Sequence, residues 1–111
     1  MDTPFAYHPD VPMPGSPATV LAYAERIFGI QTWLTERAAN GAWPLPATPA
    51  DYLAWIEDEA AIQEEQAADH PDERADRLYQ ALVLRAVATH LRCMGVVPAP
   101  LPWEVRDAHL R

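Results

Sequence analysis

The chain has 111 residues and a formal net charge of −8 at pH 7, which allows one domain with a single small core. Its acidity argues against direct nucleic-acid binding, because nucleic-acid binders need a basic surface that displaces counterions from phosphates. The single cysteine, Cys93, excludes an internal disulfide framework and a zinc-binding cysteine pattern.

The chain begins with a proline-rich segment that holds five prolines in its first 17 residues. Proline removes a backbone donor and disfavours helix in the residue before it. Residues 1–15 are therefore predicted to form an extended arm, followed by one helical domain over 16–111. We expect no signal peptide, since no basic region precedes an apolar run, and no later stretch reaches membrane-spanning length. These patterns predict a cytoplasmic protein without a membrane partner.

The first helix is predicted over 17–40. Ser16 is a good N-cap residue, Pro17 suits the first helical position, and Gly41 is a good terminator. Apolar residues recur at helical spacing through this stretch and form one broad face. Gly29 lies in the middle of the predicted helix, where it costs about 1 kcal/mol relative to alanine.

Two more principal helices follow a proline-rich connector over residues 41–48. Thr48, with an acid three residues later, predicts a capped start for the second helix, over 49–69. The third helix is predicted over 72–94, with acids in its first turn, as the helix dipole favours. It is apolar around most of its circumference, which is typical of a central helix. A short last helix is predicted over 103–110.

The predicted fold class is all-α: a three-helix up-down bundle with a proline-rich N-terminal arm and connector. The break between the second and third helices is short, so these helices should lie antiparallel and adjacent. Arg74, Arg85 and Arg92 share one strip of the third helix, and this strip can then face acids of the second helix. Charges placed in this way usually stabilise a fold.

The acids of the second helix are the main candidate for a binding surface. Residues 57–73 hold eight acids and no lysine or arginine, and such a surface attracts a protein with a basic surface. The residues of this acidic face are Glu57, Asp58, Glu64, Glu65 and Asp69. Trp33 and Trp55 lie outside the main core faces and are candidate aromatic anchors, because tryptophan is enriched at interface hot spots.

The first turn of the third helix carries a second candidate site. Glu73 and Asp76 are three residues apart in the stretch 72–79, which reads DERADRLY. Over residues 53–96 the chain resembles the all-α, MazG-like nucleotide pyrophosphohydrolases. The stretch looks like the Glu-x-x-Asp motif with which that family opens a later helix, and residues 91–96 look like the end of that helix.

The resemblance implies Mg²⁺-dependent hydrolysis of a nucleoside triphosphate to the monophosphate and pyrophosphate. Glu73 and Asp76 would hold the metal, and Glu59 or Glu64 would complete the site, since Mg²⁺ prefers hard oxygen ligands and bridges to substrate phosphates. The chain departs from the family because its second helix has no Glu-x-x-Glu pair.

The leading interpretation is a protein that binds another protein through its acidic helix face, without enzymatic activity, metal or cofactor. Inhibitors, antitoxin or immunity proteins, anti-CRISPR-type DNA mimics and phage or assembly adaptors share this profile. One alternative is the pyrophosphohydrolase with its Mg²⁺. Another is a homodimeric accessory subunit, because the third helix has more apolar surface than two short partner helices can cover.

Overall fold

A computed structural model describes residues 15–109, and within this range the chain forms helices and turns but no strand. Two short helices come first, then two long ones joined by a 3₁₀ turn, Pro71–Glu73, and then a last short helix. The bounds are α1 Pro17–Phe28, α2 Ile30–Gly41, α3 Pro49–Asp69, α4 Arg74–Cys93 and α5 Pro102–His109. The predicted all-α class is confirmed for the described residues. The arm predicted over 1–15 lies outside them, apart from Gly15.

The predicted single helix over 17–40 is wrong, because the chain breaks it at Gly29. This glycine has φ 70° and ψ 31°, in the left-handed region that glycine enters without a steric penalty. Its N–H donates to the Glu25 carbonyl at 2.9 Å and closes α1, while its carbonyl accepts from the Trp33 N–H at 3.0 Å and opens α2. Gly29 is therefore the joint between two helices.

The Glu25 side chain caps the start of α2, where Gly29 has no side chain to offer. Its carboxylate accepts from the Gln31 N–H at 2.7 Å, the Thr32 N–H at 3.2 Å and the Thr32 hydroxyl at 2.6 Å. The bond from the Thr32 hydroxyl is the main reason that the pKa of Glu25 is lowered, with the two backbone N–H groups adding to it and burial opposing it. Negative charge at this position also suits the helix dipole.

The predicted bounds of α3 are confirmed. The Thr48 hydroxyl accepts from the Asp51 N–H at 3.2 Å, and the Asp51 carboxylate accepts from the Thr48 N–H at 3.2 Å, which together make a capping box. The next helix was expected from about residue 72; the chain first makes the 3₁₀ turn, and α4 begins at Arg74.

The helices α3 and α4 form an antiparallel hairpin that carries much of the core. The first half of α3 meets the end of α4, as the ion pair Glu57–Arg92 shows, and Glu64 further along meets Arg85 earlier in α4. The helix α1 packs against α4 and α3, and α2 reaches α3 through Arg37. The largest fully buried side chains are Val20, Ile30, Leu34, Leu53, Trp55, Ile56, Val83, Leu84, Val87 and Leu91.

The C-terminal segment packs against the start of α3. Trp103 of α5 meets Trp43 and Trp55, with ring centroids 5.6 and 5.2 Å apart. The Ala99 N–H donates to the Ala50 carbonyl at 3.1 Å in the first turn of α3. The short last helix predicted from the sequence begins one residue earlier than expected, at Pro102, and its Trp103 packs against the buried Trp55 of α3.

Candidate protein-binding surface

Arginines of α4 neutralise part of the acidic face that was predicted on α3. Arg85 donates to Glu64 at 2.7 Å, and Arg92 donates to the two carboxylate oxygens of Glu57 at 2.8 and 2.7 Å. The predicted facing of α4 arginines and α3 acids is confirmed for these two pairs. Arg74 differs, because its Nε donates to a backbone carbonyl of α3 at 3.4 Å. Glu57 and Glu64 therefore offer little net charge to a partner.

Arg37 of α2 neutralises two further acids. Its Nη2 donates to Asp58 at 2.7 Å, and its Nη1 lies 3.1 Å from Glu59, close enough for charge attraction but outside hydrogen-bond geometry. The guanidinium also lies over Trp55 and Trp103, 5.4 and 5.0 Å from the ring centroids, where cation–π attraction is favourable. This cluster joins α2, α3 and α5, so Asp58 is part of the fold rather than an unpaired surface charge.

Glu59 is a carboxylate buried inside this cluster. Its side chain is 8% exposed, and the loss of water around it raises its pKa, while the charge of Arg37 and the amide of Gln63 oppose that rise. The Gln63 amide lies 3.5 Å from the carboxylate. A carboxylate in this position holds helices together and is not accessible to a partner protein.

Four acids near the turn between α3 and α4 have no basic partner among residues 15–109. We define them as the hairpin-end patch: Glu65, Asp69, Asp72 and Asp76. All four are exposed, and none makes an ion pair or side-chain hydrogen bond within the described residues. Two belong to the predicted acidic face, whereas Asp72 and Asp76 were not assigned to it. Asp76 was assigned only to the alternative Mg²⁺ site and Asp72 to no site, although Asp72 belongs to the acid-rich stretch 57–73.

The arginines in the first turns of α4 are held by other groups. Arg77 donates to Glu73 at 3.1 and 3.0 Å, to Gln63 at 3.0 Å and also to Gln66. Arg74 is held by the backbone of α3. Neither forms an ion pair with an acid of the hairpin-end patch within the described residues, so the patch keeps its negative charge.

The two predicted aromatic anchors differ in accessibility. Trp55 is 1% exposed, which corrects the expectation of an accessible ring: helical periodicity placed it beside the core, and Trp103 of α5 packs against that position. Trp33 is partly buried and meets Phe28 edge-on, with ring centroids 6.1 Å apart. Its ring lines an open groove that also includes Gln80. Only Trp33 can therefore contact a partner without unfolding the core.

The groove beside Trp33 adjoins the acidic end of the hairpin through Gln80. This residue also lines a shallow depression together with Glu73, Asp76 and Arg77. A partly exposed aromatic ring and a carboxylate of the hairpin-end patch thus flank one residue of α4. An apolar contact beside negative charge suits a basic segment that also carries an apolar side chain.

The carboxylates of the predicted Mg²⁺ site do not come together. Within the described residues, no group of three or more histidine, cysteine, aspartate or glutamate side chains is arranged to hold a metal ion. Glu59, Glu64 and Glu73 each lie against a different arginine, and Asp76 is the remaining member of the set. The ligand set that the family resemblance implied is therefore divided among three separate ion pairs and one exposed acid.

No model of a known protein family matches the chain, and no match is found among curated proteins or among solved structures. Among the described residues, every helix is too short or too polar to cross a membrane. The features of this chain that bear on its function are therefore the charges and contacts of its surface, above all the acids that the fold leaves without a partner.

Proposed function

We propose that the protein binds another protein, and that a basic segment of the partner occupies the hairpin-end patch. The contrast between two sets of acids carries this proposal. Five other acids of α3 and the turn lie within ion-pair distance of arginines of the same chain, whereas the four acids of the patch have no such partner within the described residues. Unpaired charge on a packed helical surface steers an oppositely charged partner and raises its association rate.

The position of Asp69 also supports a binding role. Asp69 is the last residue of α3, and the last turn of this helix carries no base. A negative charge at the C-terminus of a helix opposes the helix dipole and costs about 0.3–1 kcal/mol. A charge that destabilises its own helix is better explained by a partner than by folding, because function often retains residues that stability would remove.

The proposed surface keeps Glu65 and Asp69 of the predicted acidic face and Trp33 of the predicted anchors. The groove beside Trp33 would take an apolar side chain from the same basic segment. Inhibitors, antitoxin or immunity proteins, assembly adaptors and DNA mimics all use surfaces of this kind. A DNA mimic would present its acids to a nucleic-acid-binding protein without contacting nucleic acid itself. A cytoplasmic location belongs to the same proposal.

Reversal of one patch charge tests the proposal. The Asp69→Arg variant is expected to lose capture of the partner from a lysate of the producing cells, because a base replaces an acid that the partner contacts. The free energy of unfolding should rise by about 0.5–1 kcal/mol, since positive charge suits a helix C-terminus. Pull-down with mass spectrometry measures the first effect, and urea unfolding measures the second.

Glu36→Arg is the matched control. Glu36 is exposed on α2 and so belongs to neither helix of the hairpin, and its reversal changes the net charge of the chain by the same amount. Capture should persist in this variant. Equal loss of capture in both variants would mean that the partner responds to net charge alone, and full capture by Asp69→Arg would exclude the hairpin-end patch as the binding surface.

A further inference from the structure

Two leucines of α4 are exposed to solvent. Leu78 is 46% exposed and Leu82 is 53% exposed. They are four residues apart and so lie on one side of the helix. Arg85, three residues after Leu82, lies on the same side. A pair of large apolar side chains on one accessible helix side is typical of a surface that packs against another helix.

The neighbouring side of α3 carries small residues around a charge. Ala61 and Ala68 are exposed and bracket Glu64 at helical spacing. The 2.7 Å ion pair between Glu64 and Arg85 brings this side of α3 next to the leucine side of α4. We name the resulting surface the outer face of the hairpin. It consists of Ala61, Glu64, Ala68, Leu78, Leu82 and Arg85.

The outer face is complementary to a copy of itself in both size and charge. Large apolar side chains lie on α4 and small ones on α3, while the paired acids lie on α3 and the paired arginines on α4. A two-fold axis parallel to the helices places α3 of one copy over α4 of the other, so leucines meet alanines and acids meet arginines. An axis across the helices would instead place acids against acids.

We propose that the protein forms a homodimer through its outer faces, with α3 of each copy against α4 of the second copy. Because Glu64 is level with Arg85 in the antiparallel hairpin, this arrangement brings Glu64 of one copy next to Arg85 of the second copy. Each ion pair then becomes part of a ring of four charges of alternating sign beside the buried leucines. The outer face shares no residue with the hairpin-end patch, so the dimer does not require the proposed partner.

Sedimentation of the full chain over a range of concentrations tests the dimer. The parent chain is expected to show a concentration-dependent monomer–dimer equilibrium. Leu78→Glu and Leu82→Glu should each raise the dimer dissociation constant about tenfold or more, because each replaces a leucine buried in the contact by a charge. Both leucines are about half exposed in one chain, so the monomer should keep its fold, and circular dichroism checks that it does.

Val97→Glu is the control for added charge. Val97 is 74% exposed and lies beyond the end of α4, outside the outer face, so its dimer dissociation constant should match that of the parent. A parent chain that remains monomeric at every concentration overturns the proposal. This holds whether the leucines then contact residues 1–14 or a different protein. Equal weakening by Val97→Glu also overturns it.

Cross-linking tests the orientation without disturbing the leucines. In a Cys93→Ser background, one preparation carries Ala61→Cys and another carries Thr89→Cys, at positions that should face each other across the dimer. A mixture of the two is expected to cross-link as a heterologous pair with a short bis-maleimide, while the Ala61→Cys chain alone should cross-link poorly. Efficient cross-linking of Ala61→Cys to itself would contradict the parallel axis.

Discussion

At the scale of single residues, the pKa values of two carboxylates are shifted in opposite directions, for different physical reasons. Hydrogen bonds from Thr32 and the start of α2 lower the pKa of Glu25, so its charged form stabilises the folded chain. Burial raises the pKa of Glu59, so its charged form is disfavoured in the folded chain and depends on Arg37. The pH dependence of stability should separate the two.

The Glu25→Gln variant is expected to be less stable by about 1 kcal/mol at pH 7, because α2 loses the charge that caps its first turn. The folded-state pKa of Glu25 lies below its unfolded value, so its contribution is present above the unfolded pKa and disappears as the pH falls through the folded pKa. Urea unfolding at several pH values should therefore show parent and variant converging in acid. Glu36→Gln, an exposed acid on the same pair of helices, should show no comparable loss at pH 7.

Arg37→Met removes the cation beside Glu59 and Asp58 while keeping a long side chain over the tryptophans. We expect a loss of about 2–4 kcal/mol at pH 7, because a buried carboxylate is left without its partner. The pKa of Glu59 should rise further once the Arg37 charge is gone. The penalty should accordingly be largest above that pKa and shrink as the pH falls through it, since protonated Glu59 needs no cation.

Urea unfolding from neutral to acid pH measures this dependence, with Arg26→Met as its control. Arg26 is exposed and lies 5.6 Å over the Tyr23 ring, so its replacement should change stability by no more than about 0.5 kcal/mol. A penalty for Arg37→Met that stays constant with pH would mean that lost packing, rather than the unpaired carboxylate, dominates.

At the scale of helices, the sequence predicted α3 correctly and the α1–α2 segment incorrectly. Both ends of α3 are marked by local chemistry: Thr48 and Asp51 cap the start, and Pro71 follows the end. The break at Gly29 has no proline and no side-chain cap of its own. The cap comes from Glu25, four residues earlier. An N-cap residue is normally looked for directly before the helix, so this one is missed in the sequence.

The Gly29→Ala variant distinguishes the broken helix from a continuous one. In a continuous helix the substitution would stabilise the chain by about 1 kcal/mol. At φ 70° alanine is strained, so we expect a loss of about 1–2 kcal/mol instead. No atom lies within 4 Å of the added Cβ outside the immediate chain neighbours, so the sign of the change reports the backbone conformation alone. Thermal or urea unfolding gives that sign directly.

At the scale of the whole molecule, the net charge of −8 is unevenly distributed. Arginines of α2 and α4 neutralise the middle of α3, and the four acids of the hairpin-end patch lie unpaired near the turn between α3 and α4. A dimer axis parallel to the helices would place the turn ends of both copies at the same end of the assembly. If the proposed dimer forms, the two hairpin-end patches then make one larger acidic surface, suited to an extended basic segment.

The sequence alone was sufficient to predict the all-α class, the bounds of α3 and the pairing of α4 arginines with α3 acids. Helical periodicity and local capping act between residues close in the chain. The facing charges follow from the short connection, which makes α3 and α4 antiparallel neighbours although Glu57 and Arg92 are 35 residues apart. It was also sufficient to count the acids of the candidate surface, and it identified Glu65 and Asp69 among them.

Tertiary structure decided which acids remain available. Arg37, some twenty residues away in the chain, pairs with Asp58 and Glu59, so these acids are not available to a partner. Trp103 of the last helix packs against Trp55, so this ring is not available either. No short hairpin connection fixes α2 or α5 against α3, and helical periodicity does not contain the distances between them. The hairpin-end patch and the outer face are what this packing leaves uncovered, so both could be recognised only once the helices were placed against one another.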